Sequence, residues 1–396
     1  MPDTAPGTPP GTPPDTPPDT APGTPAPRVR LHDPYAERRS VVLDGHRVRY
    51  WFYDVDRTPK PLLVLVHGFR GDHHGLQLIA DRLRDRYHVV VPDLPGFGRS
   101  EPFPDRAHDV AGYAGFLHRF LEALTGGAVH DGPARDGTGP GVALLGHSFG
   151  SVVAAHFAAA HPAMVERLVL VNPICEPALE GSQAALSRLA VAYYRLGRVL
   201  PAGLGRRLLA SGTVTDAMSE VMTKSPDPAV RRYVRHQHRA YFSAFANRDV
   251  LLEAYRASVS STVAEVAMQL GMPTLLVVGA DDELGSVAAQ RRMASWIPRR
   301  RLEVLDGVGH LIHYEAPERT AELVHDFLAS PAPEPTVAPQ PAGAPPPGSG
   351  PAALHRELPP ADLTAPTTGP FTGPFTAPLT GLQRAVRRRR HGGSRR

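Results

Sequence analysis

Apolar runs alternate with helix-like stretches over most of the chain, and this alternation restricts the fold more than any other feature. The run at 62–66 is wholly apolar, as expected of a strand buried on both faces in a parallel sheet. Similar runs follow at 89–91, 142–145, 168–171, 275–278 and 302–305. Helices are predicted between or after them, near 74–84, 107–124, 149–160, 286–296 and 316–329.

Two further strands precede this alternation. They are predicted at 41–43 and 48–53 and are joined by an Asp44-Gly45 turn, which is typical of an antiparallel hairpin. The pattern as a whole therefore predicts an α/β fold: a doubly wound, mostly parallel sheet of eight strands with an antiparallel start.

One interval, 175–268, interrupts the alternation. Its sequence has helical patterns, is rich in aromatic residues and contains no convincing buried strand. The interval is far too long for an ordinary connection, so we expect an inserted helical cap. The core is accordingly predicted in two parts, 34–174 and 269–330.

Proline separates this core from two tails. Of the 44 prolines, 11 lie in residues 1–33 and 15 in residues 331–396. Segments with so few large apolar residues cannot offset their ordering entropy by burial, so both are predicted to be disordered. The C-terminal tail also carries seven arginines within 384–396. This basic end is either a solvated appendage or an electrostatic contact for an anionic membrane or an acidic partner.

Charge and cysteine content bound the functional class. The formal net charge is +4, and the acidic and basic residues of the two tails sum to −2 and +5, which leaves the core near neutral. We therefore expect no nucleic-acid partner for the core. A single cysteine, Cys175, allows no internal disulfide, and the start MPDTAPGTPP lacks the features of a signal peptide. A cytoplasmic location is the expectation.

The strongest chemical signal is Gly146-His147-Ser148-Phe149-Gly150. This G-x-S-x-G pattern follows an apolar strand and precedes an alanine-rich helix, the context of a sharp strand-to-helix turn that exposes a serine hydroxyl. Such a serine needs a base that is itself oriented by an acid.

The chain supplies both groups after later strands. Asp282 follows the strand at 275–278 and His310 follows the strand at 302–305. Since the carboxyl ends of parallel strands share one edge of the sheet, Ser148, Asp282 and His310 can converge there. Asp281 is a second choice for the acid, and Glu176, which follows the strand at 168–171, is a more remote one.

Together these motifs resemble the α/β-hydrolase superfamily, in its serine-nucleophile branch with a helical cap, over about residues 40–329. His67-Gly68-Phe69 looks like the oxyanion element of that family, and residues 92–100 look like its loop after the fourth strand. Gly309-His310 and the following Glu315-Ala316-Pro317-Glu318 are similar to its histidine loop and last helix.

The resemblance implies a mechanism without a cofactor. Ser148 would attack an acyl carbonyl, His310 would take its proton, and Asp282 would orient the imidazole. The backbone N–H groups of Phe69 and Phe149 would stabilise the oxyanion. A serine nucleophile argues against the haloalkane dehalogenase and epoxide hydrolase branches, which use a carboxylate.

Other polar residues near these motifs have simpler interpretations. His67 and Asp93 are expected to be structural. Asp72, His73 and His74 suggest metal binding, but no further ligand cluster is evident in the sequence, so no metal is predicted.

The expected binding residues are Arg70, Tyr241 and Phe242. Arg70 would be either solvated at the pocket rim or paired with a substrate carboxylate or phosphate. Tyr241 and Phe242 belong to the cap aromatics, some of which are expected to line an apolar acyl or aryl site.

These observations predict a serine hydrolase that cleaves a small or medium carboxylic ester, thioester, lactone or amide, with a small acyl compound as its partner. Carbon–carbon bond hydrolases, perhydrolases and acyltransferases would use the same three residues. A hydrolase-like fold retained as a non-catalytic receptor is the alternative from another class.

Overall fold

A computed structural model describes residues 36–54, 58–126, 141–177 and 184–335. The predicted tails at 1–33 and 331–396 lie outside these ranges, apart from residues 331–335, so the Arg-rich terminus is not among the described residues.

A single eight-stranded sheet organises the described residues. Its strands are β1 (Ala36–Leu43), β2 (His46–Tyr53), β3 (Leu62–Val66), β4 (His88–Pro92), β5 (Val142–His147), β6 (Val165–Val171), β7 (Thr274–Gly279) and β8 (Arg300–Leu305). Their order in the sheet is β1-β2-β4-β3-β5-β6-β7-β8. The pairs β1–β2 and β2–β4 are antiparallel and all other pairs are parallel. The predicted mostly parallel sheet with an antiparallel start is thus confirmed.

Helices flank this sheet and fill the interval after β6. They are α1 (His73–Leu83), α2 (Val110–Thr125), α3 (Phe149–Ala160), α4 (Ala184–Val199), α5 (Ala202–Leu209), α6 (Gly212–Met222), α7 (Pro228–Tyr241), α8 (Arg248–Ser260), α9 (Val287–Ser295), α10 (Ile312–Glu315) and α11 (Pro317–Ala329). The apolar side chains of α1 and α11 form one core on one face of the sheet, and those of α2, α3 and α9 form another on the opposite face. Two buried faces explain why the central strands are apolar throughout.

Local sequence signals account for several helix ends. Asp72 precedes α1 and accepts a hydrogen bond from the backbone N–H of His74, and Asp109 does the same for Gly112 in α2. Helix α2 stops at Gly126, whose φ of 61° is a conformation that glycine adopts without strain. These caps satisfy terminal groups that the helix itself leaves unpaired.

The interval predicted as a cap contains α4 to α8. Helix α7 begins at Pro228 after the capping Asp227, and α8 begins after Asn247, which accepts hydrogen bonds from the N–H groups of Asp249 and Val250. In the part of the chain that the structure describes, no helix has both the length and the apolar character needed to cross a membrane.

Helix α3 packs very close to the end of β3, which gives a test of the fold. A Cβ atom on Gly150 would lie 2.2 Å from the carbonyl oxygen of Val66, whereas one on Gly115 in α2 would meet nothing within 4 Å. We expect Gly150→Ala to lower the melting temperature because backbone must move. Gly115→Ala, the matched control, should raise stability by about 0.5–1 kcal/mol. Equal melting temperatures for the two variants would contradict this packing.

Candidate active site

Ser148 stands at the sharp turn between β5 and α3. Its φ of 54° and ψ of −123° are strained for a residue with a side chain. The turn is possible because a glycine lies two residues away on each side. A Cβ on Gly146 would lie 2.3 Å from the carbonyl oxygen of Gly150, and Gly150 itself packs against β3. The hydroxyl is thereby presented at the carboxyl edge of the sheet.

The three predicted catalytic side chains form one hydrogen-bonded chain. The Nε2 atom of His310 lies 2.8 Å from the Oγ of Ser148. Its Nδ1 atom lies 3.1 and 3.0 Å from the two carboxylate oxygens of Asp282. All three residues are buried, with exposed fractions of 8% for Ser148, 9% for Asp282 and 3% for His310.

These hydrogen bonds indicate which nitrogen of His310 carries the proton, because a carboxylate can only accept. The Nδ1–H of His310 donates to Asp282, which leaves Nε2 unprotonated to accept from the hydroxyl of Ser148. That tautomer is the one in which a histidine can act as a base toward serine.

The alternative acids do not reach the imidazole. Asp281 is exposed, next to the buried Asp282. Glu176 forms an exposed ion pair with Arg292. Of the three carboxylates considered from the sequence, the structure therefore brings only Asp282 to His310.

Electrostatics favour a proton acceptor at this position. Burial alone disfavours the imidazolium, but the adjacent Asp282 carboxylate outweighs it, with smaller contributions from Glu283 and Glu315, so the pKa of His310 is raised above 6.5. Two neighbouring imidazoles show the opposite effect. Burial, aided by nearby histidines, lowers the pKa of His147 to about 3 and that of His313 well below its usual value. They therefore stay neutral where His310 titrates.

Asn172, at the end of β6, holds the loop that carries His310. Its side-chain N–H groups donate to the carbonyl oxygens of Gly309 at 2.9 Å and His310 at 3.0 Å. Its side-chain oxygen accepts from the N–H of Gly279 at 2.7 Å, at the end of β7. Asn172 is not among the site residues predicted from the sequence. Its position directly after a buried parallel strand is the signal that could have found it.

The imidazole of His147 also contacts the loop that carries His310. Its Nε2 lies 3.2 Å from the carbonyl oxygen of His310 and 3.2 Å from Nδ1 of His313. A neutral His147 that carries its proton on Nε2 donates to both acceptors. The second residue of the serine motif is thus a support for the base.

The predicted oxyanion element lies beside the nucleophile. A Cβ atom on Gly68 would be 3.1 Å from the Cβ of Ser148, so this loop runs directly past the serine. Phe69 follows in the loop, and Phe149 begins α3 immediately after Ser148. Their backbone N–H groups form no hydrogen bond to another described residue. This leaves both available to an incoming oxygen.

His67 and Asp93 shape the loops around this element. The Nδ1–H of His67 donates to the carbonyl oxygen of Gly68 at 2.9 Å, and its Nε2 accepts from the N–H of Leu94 at 2.9 Å. Asp93 accepts from the N–H groups of His73 at 2.9 Å and Arg99 at 2.7 Å. Both side chains are fully used in structural hydrogen bonds, as expected from the sequence.

The cluster Asp72, His73 and His74 was the metal candidate in the sequence. Its ligand atoms lie within 4.8 Å of one another. These atoms already have protein partners: the carboxylate of Asp72 caps α1 and contacts Nδ1 of His74 at 3.0 Å, and Nδ1 of His73 contacts Asp93 at 2.9 Å. These contacts cap α1 and hold its first residues in place.

Arg70 connects the oxyanion loop to the cap. Its guanidinium donates to the carbonyl oxygens of Leu209 at 2.9 Å and Phe242 at 3.0 Å, where α5 and α7 end. The side chain is only 3% exposed, so the expectation of a solvated arginine is wrong. No carboxylate of the described residues pairs with it. The guanidinium is instead stabilised by the partial negative charge at the C-termini of α5 and α7.

The two predicted cap aromatics lie at the same junction. The ring of Tyr241 stacks on that of His74 at the start of α1, with 3.6 Å between centroids. The ring of Phe242 stacks on that of His238, with 3.9 Å between centroids. Substrate binding by Arg70, Tyr241 and Phe242 stays a prediction.

The tie made by Arg70 can be tested by substitution. Arg70→Ala leaves the buried carbonyl group of Leu209 and the half-buried one of Phe242 without this donor, and a buried group left unpaired costs about 1–3 kcal/mol. We expect a lower melting temperature and faster cleavage of the cap in limited proteolysis. Arg70→Lys, which keeps the charge but not the two-pronged donor geometry, should be intermediate.

Arg206→Ala is the matched control, because Arg206 is an exposed cap arginine with a long 3.5 Å contact to the carbonyl of Ala246 and a position 5.3 Å from the ring centroid of Phe245. Wild-type protease resistance in Arg70→Ala would show that the guanidinium does not hold the cap.

Comparison with known proteins agrees with this geometry. The family model described as alpha/beta hydrolase fold matches residues 61–317. The monoacylglycerol lipase ABHD6 of Mus musculus is 25% identical over 320 residues, which cover 77% of this chain and 88% of that protein. The uncharacterized hydrolase YugF of Bacillus subtilis is 24% identical over 295 residues, covering 73% of this chain and 97% of that protein.

Solved structures share the fold. A thermophilic esterase from Thermogutta terrifontis is 25% identical with a TM-score of 0.56, over 74% of this chain and 98% of the esterase. A putative lipase from Acinetobacter baumannii is 21% identical with a TM-score of 0.57, over 74% of this chain and 91% of that one. By sequence, sheet order and the matched family model, the chain belongs to the alpha/beta hydrolase fold family and is a hydrolase.

Proposed function

We propose that this hydrolase cleaves carboxylic esters through an acyl-enzyme on Ser148. The observation that carries the proposal is the unbroken hydrogen-bonded chain from Asp282 through His310 to the hydroxyl of Ser148. A serine alone is a weak nucleophile at neutral pH, and this arrangement supplies the base that it lacks.

The first half of the reaction follows from the proton positions. The Oγ of Ser148 attacks the ester carbonyl carbon while Nε2 of His310 takes the hydroxyl proton. Negative charge develops on the carbonyl oxygen beside the N–H groups of Phe69 and Phe149. Collapse of this intermediate breaks the ester bond, and the imidazolium gives its proton to the departing alcohol.

The second half reverses these roles. Water attacks the acyl carbon while His310 takes a proton from it, and the imidazolium then gives that proton to the Oγ of Ser148 as its bond to the acyl carbon breaks and the carboxylic acid leaves. Asp282 stays ionised throughout and stabilises the imidazolium in both halves. The bond to Asp282 holds the ring of His310 while the proton moves, and Asn172 holds the backbone of the same loop.

Aromatic residues where the cap meets the core support an acyl substrate. The ring of Phe69 contacts those of Phe97, Tyr194 and Tyr255, at centroid distances of 6.1, 5.8 and 5.6 Å. An acyl chain bound to Ser148 with its oxygen at the N–H of Phe69 would lie beside this apolar cluster. Relatives named as a monoacylglycerol lipase and an esterase support the same substrate class.

Removing the nucleophile or the base tests the proposal. We expect Ser148→Ala and His310→Ala each to reduce turnover of p-nitrophenyl esters by about 10⁶, since these residues act as a unit. A fluorophosphonate probe should label the wild type and fail to label Ser148→Ala. A panel graded in acyl length then identifies the preferred ester.

Labelling that survives in Ser148→Ala would reject this nucleophile. No labelling of the wild type would favour the non-catalytic receptor. Labelling without ester hydrolysis would direct attention to acyl transfer, perhydrolysis or carbon–carbon bond cleavage.

The pH dependence follows from the pKa of His310. Because the base acts only when neutral, kcat/KM should rise with pH and level off above a midpoint higher than pH 6.5. Asp282→Asn removes the charge that raises this pKa, so burial would prevail and the midpoint should move below pH 6.5. The plateau should fall by about 10⁴. An unchanged midpoint in Asp282→Asn would show that another group controls the profile.

A further inference from the structure

The cap contains a strongly basic segment without any acidic residue. Between Glu180 and Asp216 the sequence has five arginines and no aspartate or glutamate. The segment includes α4 and α5, which the short turn at Leu200 and Pro201 joins. We call the part from 190 to 209 the basic hairpin.

The basic hairpin also exposes large apolar side chains. Leu196 is 51% exposed, Val199 is 83% exposed and Leu204 is 54% exposed. Leu196 and Val199 are three residues apart on α4, so they share one face of the helix. All three lie within nine residues of sequence at the tip of the hairpin.

Close helix packing explains why these side chains point away from the protein. A Cβ atom on Gly205 would lie 2.0 Å from the carbonyl oxygen of Gly197, and one on Gly197 would lie 2.5 Å from the side chain of Leu209. The buried contact between α4 and α5 is thus made by glycines and by Leu209. Leu196 and Leu204, each next to one of these glycines, remain outside it.

Three of the four arginines of the basic hairpin are available for an external partner, and the fourth, Arg206, lies over the ring of Phe245. Arg195 and Arg207 are exposed and form no ion pair with a described residue. Arg198 contacts only the exposed Asp249, at 2.9 Å. Such surface pairs contribute little and exchange readily with other anions.

We propose that the basic hairpin docks on the surface of an anionic lipid bilayer. Apolar side chains bordered by unpaired arginines match such a surface in both respects, because the arginines approach the phosphate groups while Leu196, Val199 and Leu204 enter the acyl region. A folded protein partner would need apolar and acidic groups arranged to match the leucines, valine and arginines of the hairpin. A bilayer containing anionic lipid offers both over any area.

The basic hairpin is also joined directly to the candidate active site. Arg70 beside the oxyanion element donates to the carbonyl of Leu209, at the end of the hairpin, and the ring of Tyr194 packs on that of Phe69. Docking would bring the cap side of the site to the lipid from which an acyl substrate is drawn. The docking itself requires no chemistry at Ser148.

An environment-sensitive label on the hairpin tests the proposal in the full chain. Val199→Cys is labelled with a thiol-reactive NBD dye in the Ser148→Ala form, so that hydrolysis cannot alter the vesicles. The native Cys175 is buried, which raises its thiol pKa to about 12, and it should resist labelling. We expect the emission to increase several-fold and shift to the blue on phosphatidylcholine vesicles containing phosphatidylglycerol.

Val221→Cys is the matched control. Val221 is 59% exposed on another cap helix, α6, which carries the acidic Asp216 and Glu220. Its label should respond little to the same vesicles. Replacing Arg195 and Arg207 by glutamine should weaken vesicle binding by about 25-fold, from about 1 kcal/mol for each charge, and added salt should weaken it further.

Four outcomes would overturn the proposal. Equal responses at positions 199 and 221 would mean unspecific adsorption. Vesicle binding without a change at position 199 would assign the contact to another part of the chain, such as the Arg-rich terminus. Equal binding to pure phosphatidylcholine would remove the requirement for anionic lipid. An NBD response that grows with protein concentration in the absence of lipid would identify a second copy of the chain as the partner.

Discussion

Two strained residues at the ends of neighbouring strands position the site. Ser148 after β5 and Asn172 after β6 have φ values of 54° and 43°, in a region that most residues with side chains avoid, although asparagine adopts it more readily than serine. Each is anchored to the next strand: the N–H of Ser148 donates to the carbonyl of Val171 at 3.1 Å, and that of Asn172 donates to Val277 at 2.8 Å. At Ser148 this conformation costs about 1–3 kcal/mol, and such strain persists only where the surroundings determine the conformation. Here the surroundings are the parallel sheet itself, so the nucleophile and the clamp on the base depend on the same pairing.

Of the buried histidines His147, His310 and His313, only His310 can take up a proton in the pH range of the reaction. Burial keeps His147 and His313 neutral, while Asp282 allows His310 to hold a proton. Three imidazoles within hydrogen-bonding distance of one loop thus have different protonation behaviour. The difference comes mainly from Asp282, because its carboxylate is hydrogen-bonded directly to the ring of His310, with smaller contributions from Glu283 and Glu315. In a buried site this contrast is large, since water does not screen it.

The sequence predicted those parts of the molecule that depend on local pattern. All eight strands and the turn at Ser148 follow from apolar runs and glycine spacing, and the choice of Asp282 over Asp281 agrees with the geometry. The contact between Arg70 and the cap could not be predicted from local pattern. Its contact with Phe242 joins residues 172 positions apart, and it depends on where two cap helices end. The clamp by Asn172 is non-local in the same sense, although its strand was predicted.

The cap is attached to the catalytic core at the loops that would carry out the chemistry. Arg70 binds the ends of α5 and α7 from the oxyanion loop. Glu315 binds the loop of the base and the cap at once, because its carboxylate accepts from the N–H of Gly309 at 2.8 Å and from that of Ser225 at 2.8 Å. The cap thus contacts both the loop of the oxyanion donors and the loop of the histidine, through buried or half-buried hydrogen bonds that are costly to leave unmade. The position of the cap and the geometry of the site are therefore coupled through Arg70 and Glu315.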